Sequence, residues 1–361
     1  MKMKLSKLAA VIFALAIILS GCSGKANTTK DTLKAEDAGS EVTGAATGSS
    51  KDTQIDFSSV TLRFGSTGWE TQKELLKAAG LEDTPYKVDY TTFQGGNLCL
   101  EAMAADQIDL TGSSEIPPIY ASLAENGGNF KIVMINNSNT QNQELIIPPK
   151  SEIKSVAELK GRKVGYIKST TAQYFLYQML KDAGLTWKDI NSVEITTADG
   201  VTALLGGELD AFASYGNSIN AAKNNGAATL ASAEDILSGN FPYEASASAL
   251  KDEKLRAAIA DYLARLELAN EWQKKHLETW AEISADPTGL TYEENLEILT
   301  KGYKQRETHV KTISEDIIKS EQKVADTFFE IGLLENKVDV STFYDASLTE
   351  DYNKALEALL Q

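Results

Sequence analysis

From Val60 to about Asn225 the chain alternates short apolar runs with helix-patterned stretches, and it does so twice. Val60-Thr61-Leu62-Arg63-Phe64 alternates as a strand and ends in Gly65-Ser66-Thr67-Gly68. A helix is expected over 69–79, closed by Gly80. A strand over 86–92 follows, then a helix opening at Gln94-Gly95-Gly96 and running to 105. Ile108-Asp109-Leu110 forms a short strand, and Pro117-Pro118 falls in the first turn of the next helix, where proline is tolerated. Strands are expected over 130–136 and 144–148. The second round has strands over 163–167, 193–196 and 210–214, with helices over 172–183, 199–206 and 218–225. Such alternation specifies an α/β sheet with crossover helices, and its repetition suggests two lobes. Beyond about residue 246 the strands mostly stop. Long helices are expected over 251–285, 293–305 and 314–331, the last capped by Gly332, with this tail returning to the first lobe.

The N-terminus belongs to a different physical class. Lys2, Lys4 and Lys7 precede an apolar core over 8–19, and the segment ends in Leu19-Ser20-Gly21-Cys22. Its charge, length and small residues before the cut read as a secretory signal over 1–21, too short to span a bilayer. Leu-Ser-Gly-Cys resembles the bacterial lipobox, whose cysteine becomes the lipidated first residue. Cys22 is therefore the expected lipidation site, and 22–59, rich in Ser, Thr, Gly, Ala, Lys and Asp, the expected flexible tether. Loss of three lysines takes 35 basic side chains to 32 against 51 acidic ones, a formal charge near −19. That balance disfavours nucleic acid, which needs clustered Lys and Arg, and disfavours adhesion to anionic lipid by surface charge, leaving the membrane contact to the N-terminal lipid. Cys99, the single thiol left once Cys22 is modified, has no internal disulfide partner and suits a small buried site.

No catalytic constellation emerges. There is no Gly-x-Ser-x-Gly, P-loop or Cys/His pair. His276 and His309 both fall in charged stretches without a second ligand-type cluster in sequence, so neither a metal nor a cofactor is expected. What recurs is a strand ending in a polar turn that opens a helix: Ser66 and Gly68 in the first, Gln94, Gly95 and Asn97 in the second, Ser113 and Ser114 in the third, Ser169, Thr170 and Thr171 in the fourth, and Ser214, Tyr215 and Asn217 in the fifth. In open α/β sheets such turns gather at the carboxyl ends of strands, where ligands bind. Helix N-termini add free N–H groups and about half a positive charge, which suits a sulfonate or carboxylate. Trp69, Tyr215 and Tyr243 lie in or beside these turns and suit the apolar part of such a ligand. Each hydroxyl can equally be an ordinary helix cap worth about 1 kcal/mol, and the sequence leaves both readings open.

At several of these positions the chain resembles the aliphatic-sulfonate binding proteins of ABC importers, within the nitrate/sulfonate/taurine group. Ile108 to Ile119 is similar to the segment carrying Gly-(acid)-(Ile/Val)-Pro-Pro, and Val156 to Val164 to the entry into the second lobe. Lys168-Ser169-Thr170-Thr171 resembles that group's Lys-Gly-(Ser/Thr)-Ser turn, Gly207-Glu208-Leu209-Asp210-Ala211 its Gly-x-(Val/Leu)-Asp-Ala lead-in, and 323–334 its late helix. Two departures stand out: Glu115 replaces the usual aspartate, and Phe212 to Asn217 replaces a Trp-rich stretch ending in Trp-Asp-Pro. The resemblance implies a two-lobed type II periplasmic-binding-protein fold with a ligand cleft between lobes. The repeated strand–helix pattern and the helical tail place 60–146 plus 247–361 in lobe 1 and 147–246 in lobe 2. The resemblance also implies a monomeric, non-enzymatic protein on the outer face of the cell membrane, which captures a small anionic solute and delivers it to permease subunits. A lipid tether fits a Gram-positive host. Taurine, nitrate, or a heterocyclic vitamin or pyrimidine are alternative ligands, and a sensor or adhesin lipoprotein, or an enzyme on the same fold, are alternative roles.

Overall fold

The computed structural model describes residues 55–124 and 127–361; Cys22 and most of the expected tether lie outside them. The described residues form one compact unit. Its first half runs β1 (Thr61–Thr67), α1 (Thr71–Ala78), β2 (Lys87–Phe93), α2 (Gly96–Ala104), β3 (Leu110–Gly112), α3 (Pro117–Ala121) and β4 (Phe130–Asn137). The chain then passes to β5 (Gln143–Ile147), β6 (Lys163–Tyr166), α4 (Thr171–Asp182), β7 (Asn191–Glu194), α5 (Thr197–Leu205), β8 (Ala211–Tyr215), α6 (Asn217–Asn224) and β9 (Ala228–Ser232). It returns through β10 (Asn240–Ser246) to α7 (Glu253–Lys275), α8 (Leu277–Thr288), α9 (Tyr292–Gln305), β11 (His309–Lys311), α10 (Glu315–Glu330) and α11 (Thr349–Leu359).

Two sheets result, ordered β11-β4-β10-β3-β1-β2 and β7-β6-β8-β5-β9. In each, the strands joined by crossover helices pair in parallel, β1 with β2 and β3, β6 with β7 and β8. The strands at the two crossings pair antiparallel, β10 with β3 and β4, and β5 with β8 and β9. Helices cover the sheets, so β1 buries Leu62 and Phe64 completely and continues through Gly65 and Ser66 with no exposed position until Thr67. Phe64 meets Tyr262 of α7 at 5.2 Å between ring centroids, which anchors the helical tail to the first sheet. Arg63 clamps β1 to the start of β3, with Nη2 2.6 Å and Nε 3.0 Å from the buried Asp109 carboxylate.

Three features depart from the sequence expectation. The crossings lie near residues 138–142 and 233–239, so β5 begins the second sheet at Gln143, before the expected boundary at 146/147. β10, assigned by sequence to lobe 2 as part of 147–246, is a member of the first sheet. Pro242, followed by buried Tyr243, Glu244 and Ala245, hid that strand from an alternation test. The helix expected over 251–285 breaks at His276, where φ is −132° and ψ 42°, giving α7 and α8.

Candidate functional site

Two connected cavities lie between the sheets. The inner one, about 190 Å³, is lined on the first-sheet side by Thr67, Gln72, Gly96, Gly112, Ser113, Ser114, Pro117, Asn136, Phe241 and Tyr243. Gln143, Thr170, Thr171 and Tyr215 close it from the second. An outer vestibule of about 590 Å³ shares Thr67 and Tyr215 with it and adds Gly68, Trp69, Phe93, Gln94, Val201 and Asn217 among others. The expected site residues thus divide. Ser113, Ser114, Thr170, Thr171, Tyr215 and Tyr243 meet in the inner cavity, and Gly68, Trp69, Gln94, Tyr215 and Asn217 in the vestibule.

Others sit elsewhere. Ser66 is buried in β1 with its Oγ lacking a partner, and Ser214 is buried with its Oγ 2.6 Å from Ser218 Oγ; neither lines the two cavities. Gly95 and Asn97 border a groove that shares Gln94 and Thr197 with the vestibule, and Ser169, at φ +58°, lines another beside Asn97 and Tyr120. For Ser66 and Ser214 the strand pleat aims the side chain away from the cleft.

The donors differ in how free they are. Thr170 is the N-cap of α4: its Oγ1 accepts from Ala172 N at 3.3 Å and donates to Ile167 O at 2.8 Å. Thr171 Oγ1 donates to buried Gln143 Oε1 at 2.5 Å. Ser114 Oγ only accepts, from Ile116 N at 3.5 Å, and keeps its proton for another partner. The N-cap of α2 is Gly95, with no side-chain cap, so the first-turn N–H groups beside Gly96 have no hydroxyl or carboxylate to satisfy them. Gly96 leaves no room for a side chain, whereas the neighbours of Gly95 are the movable ends of Asn97 and Tyr215. A Cβ on Gly96 would lie 2.6 Å from Ser113 Cβ, and one on Gly95 2.9 Å from Tyr215 Oη. The α2 terminus therefore reaches the cleft only because Gly96 carries no side chain.

Behind Ser113 lies Glu244 of β10, fully buried. Ser113 Oγ donates to its Oε1, with Ser114 O as the alternative acceptor at 2.9 Å, while Oε2 has no partner. Burial pushes the Glu244 carboxyl well above its usual range, only partly opposed by Ser113. Burial thus favours its uncharged form, which does not repel an anion. None of the residues lining the inner cavity is Lys, Arg or His. Lys168, beside the Ser169 turn, pairs instead with Glu194 at 3.3 Å.

Sequence reasoning missed Gln72, Asn136, Gln143, Phe241 and Glu244. The pairing of β4 and β10 and the crossing to β5 bring all of these but Gln72 to the cleft, and Gln72 reaches it from α1. Asn136 carries the one detectable signal, a polar residue ending an apolar strand, and its Oδ1 is buried without a partner.

Comparison with known proteins agrees with this architecture. Residues 70–241 match the family described as NMT1/THI5 like. The chain is 29% identical over 285 residues to the putative aliphatic sulfonates-binding protein of Escherichia coli, covering 77% of this chain and 86% of that protein. Among solved structures, the periplasmic aliphatic sulphonate binding protein SsuA of Escherichia coli superimposes with a TM-score of 0.67 at 26% identity, over 79% of this chain and 92% of that one. The alkanesulfonate-binding protein SsuA of Xanthomonas axonopodis pv. citri, bound to MOPS, gives 0.71 at 24% identity, over 80% and 99%. The two-sheet α/β body has the periplasmic-binding-protein fold that the sequence resemblance implied.

Proposed function

We propose that this chain is the extracytoplasmic solute-binding component of an ABC importer and takes an aliphatic sulfonate between its two lobes. Beneath that reading lies a division of lobes at the crossings near 138–142 and 233–239. One observation carries the ligand class: an inner cavity without a basic residue, faced by the uncapped N-terminus of α2, the first turn of α4 and the free Ser114 hydroxyl, and backed by Glu244, whose burial disfavours its charged form. Such a site offers an anion dipoles and hydrogen bonds rather than a counter-charge. A sulfonate spreads one negative charge over three acceptor oxygens and suits several weak donors. Its alkyl tail would run into the vestibule against Trp69, Phe93 and Tyr215. The relatives named as sulfonate-binding proteins support the same reading. Capture is without chemistry, so the ligand should be recovered unchanged.

The test is calorimetric titration with methane-, ethane- and hexanesulfonate, beside taurine, nitrate and a pyrimidine. Sulfonates should bind most tightly, and Ser114→Ala should weaken them by about ten- to a hundred-fold, the worth of one hydrogen bond to a charged group. Thr170→Ala should instead cost about 1 kcal/mol of stability, because its hydroxyl caps α4. Preference for nitrate or the pyrimidine, or full affinity in Ser114→Ala, defeats the assignment. Anchoring at Cys22 is part of the same proposal: Cys22→Ala should move the protein out of the detergent phase, and unchanged partitioning counts against it.

A further inference from the structure

Away from the cleft, the fold assembles a donor set whose histidine lies 38 residues or more along the chain from its two carboxylates. Glu267 and Glu271 project one turn apart from α7, and β11 brings His309 between them. His309 Nδ1 is 3.0 Å from Glu267 Oε1 and 3.6 Å from Glu271 Oε1, and the three donor atoms lie within 4.8 Å of one another. The sequence expectation that His309 has no ligand-type neighbours thus does not survive folding. We propose that Glu267, Glu271 and His309 form a binding site for a borderline divalent transition metal, Zn²⁺ the best fit.

The spacing fits a compact ion. Zinc holds imidazole nitrogen at about 2.0–2.1 Å and carboxylate oxygen at about 2.0–2.2 Å. A tetrahedron of that size has edges of roughly 3.4 Å, between the two observed separations. One nitrogen and two carboxylates, from two elements, leave room for a water in the fourth position. The imidazole favours zinc over magnesium or calcium, which prefer sets made of oxygen alone.

The surroundings hold the donors in place. Glu267 Oε2 accepts from Val310 N at 2.5 Å, fixing one carboxylate while Oε1 faces the histidine. On the far side of the ring, Nε2 lies 3.5 Å from Glu307 Oε2, and Lys274 holds Glu307 at 2.6 Å. When the metal binds, the Nδ1 proton leaves to solvent and Nε2–H points at Glu307, a carboxylate–histidine–metal arrangement that fixes the tautomer. All three ligands are partly buried, with side-chain exposures of 17% for Glu267, 29% for His309 and 35% for Glu271, so an ion has access from solvent.

The experiment is titration of the purified full chain with zinc chloride alone, followed by calorimetry, with magnesium and calcium chloride in parallel. One zinc per chain is expected, bound more tightly than either alkaline-earth ion. His309→Ala and Glu271→Gln should each weaken zinc by at least about tenfold, as loss of a ligand does, while His276→Ala should leave it unchanged. Glu267 is spared in this series because it also anchors Val310; apo melting of each variant checks that folding is retained. Cobalt(II) gives a second readout, an absorption change present in the native chain and absent from His309→Ala. Equal zinc affinity in His309→Ala, or magnesium bound as tightly as zinc, overturns the proposal. Neither result bears on the sulfonate cleft, which uses none of these side chains.

Discussion

A single buried carboxyl sets much of the chemistry of the cleft. Glu244 stands behind Ser113 with one oxygen unpartnered, and burial raises its pKa, favouring the protonated form. The unfolded carboxyl titrates near pH 4.3, far below its folded counterpart. In the interval between the two values the native state holds the extra proton, so the contribution of Glu244 to stability is full at low pH and is lost as pH rises towards the folded value. Glu244→Gln removes this dependence and keeps a neutral group of the same shape. Its stability should therefore gain on the wild type as pH rises from about 5 to about 8, read by urea melts at each pH. A difference that does not change with pH would mean that Glu244 is already ionised in the folded protein. Glu115 and Glu321 are also buried and shifted upward by burial, so the wild type itself carries more than one such group.

Among the elements, the two crossings between the sheets are tied by the end of α9. Arg306 Nη1 donates to Ser238 O and, at 3.4 Å, to Ser138 O, one carbonyl from each crossing. Gln305 repeats the arrangement, its Oε1 accepting from Thr140 N at 3.0 Å and its Nε2 donating to Glu234 O at 3.2 Å. Gly239 makes the approach possible. Its φ is +75°, and a Cβ there would fall 1.7 Å from Arg306 Nη1 and 2.4 Å from Ser138 O. Gly239→Ala should therefore expel the guanidinium and strain the turn, lowering stability by about 1–3 kcal/mol, measured as a lower urea midpoint. An unchanged midpoint would show that the crossings do not depend on this clip. Nearby, Asn217, Asn220 and Asn224 of α6 donate to the carbonyls of Pro287, Thr288 and Gly289, so the C-terminal end of α8 is capped by a helix of the other sheet.

Over the whole molecule, charge opposes the proposed function at long range. A chain with a formal charge of −16 repels an anion, and capture must rest on dipoles that act only within the cleft. Raising ionic strength from about 0.01 to about 0.15 M shortens the screening length from about 30 to about 8 Å. The association rate of a sulfonate should therefore rise with salt, measured by stopped-flow tryptophan fluorescence using Trp69 at the vestibule. A rate that falls with salt would point to a local cationic patch steering the ligand.

The sequence by itself determined the class of fold, because strand and helix periodicities are local properties that survive without tertiary context. β1, β2 and β6, and helices α2, α4 and α10, lie within a few residues of their expected ranges. It also marked Ser113, Ser114, Thr170, Thr171 and Tyr215 for the cleft, since polar turns after strands occupy a fixed place in an α/β sheet. It did not mark β10, whose apolar run is broken by Pro242 and whose place is set by pairing with β3 and β4. Nor did it separate Thr170, a helix cap, from Ser114, whose hydroxyl is free, because both carry the same group in the same kind of turn. Only the tertiary structure decided which donors were already satisfied, that Glu244 lies buried behind Ser113, and that His309 meets Glu267 and Glu271. Each of these depends on contacts between residues far apart in the chain, which local periodicity does not encode.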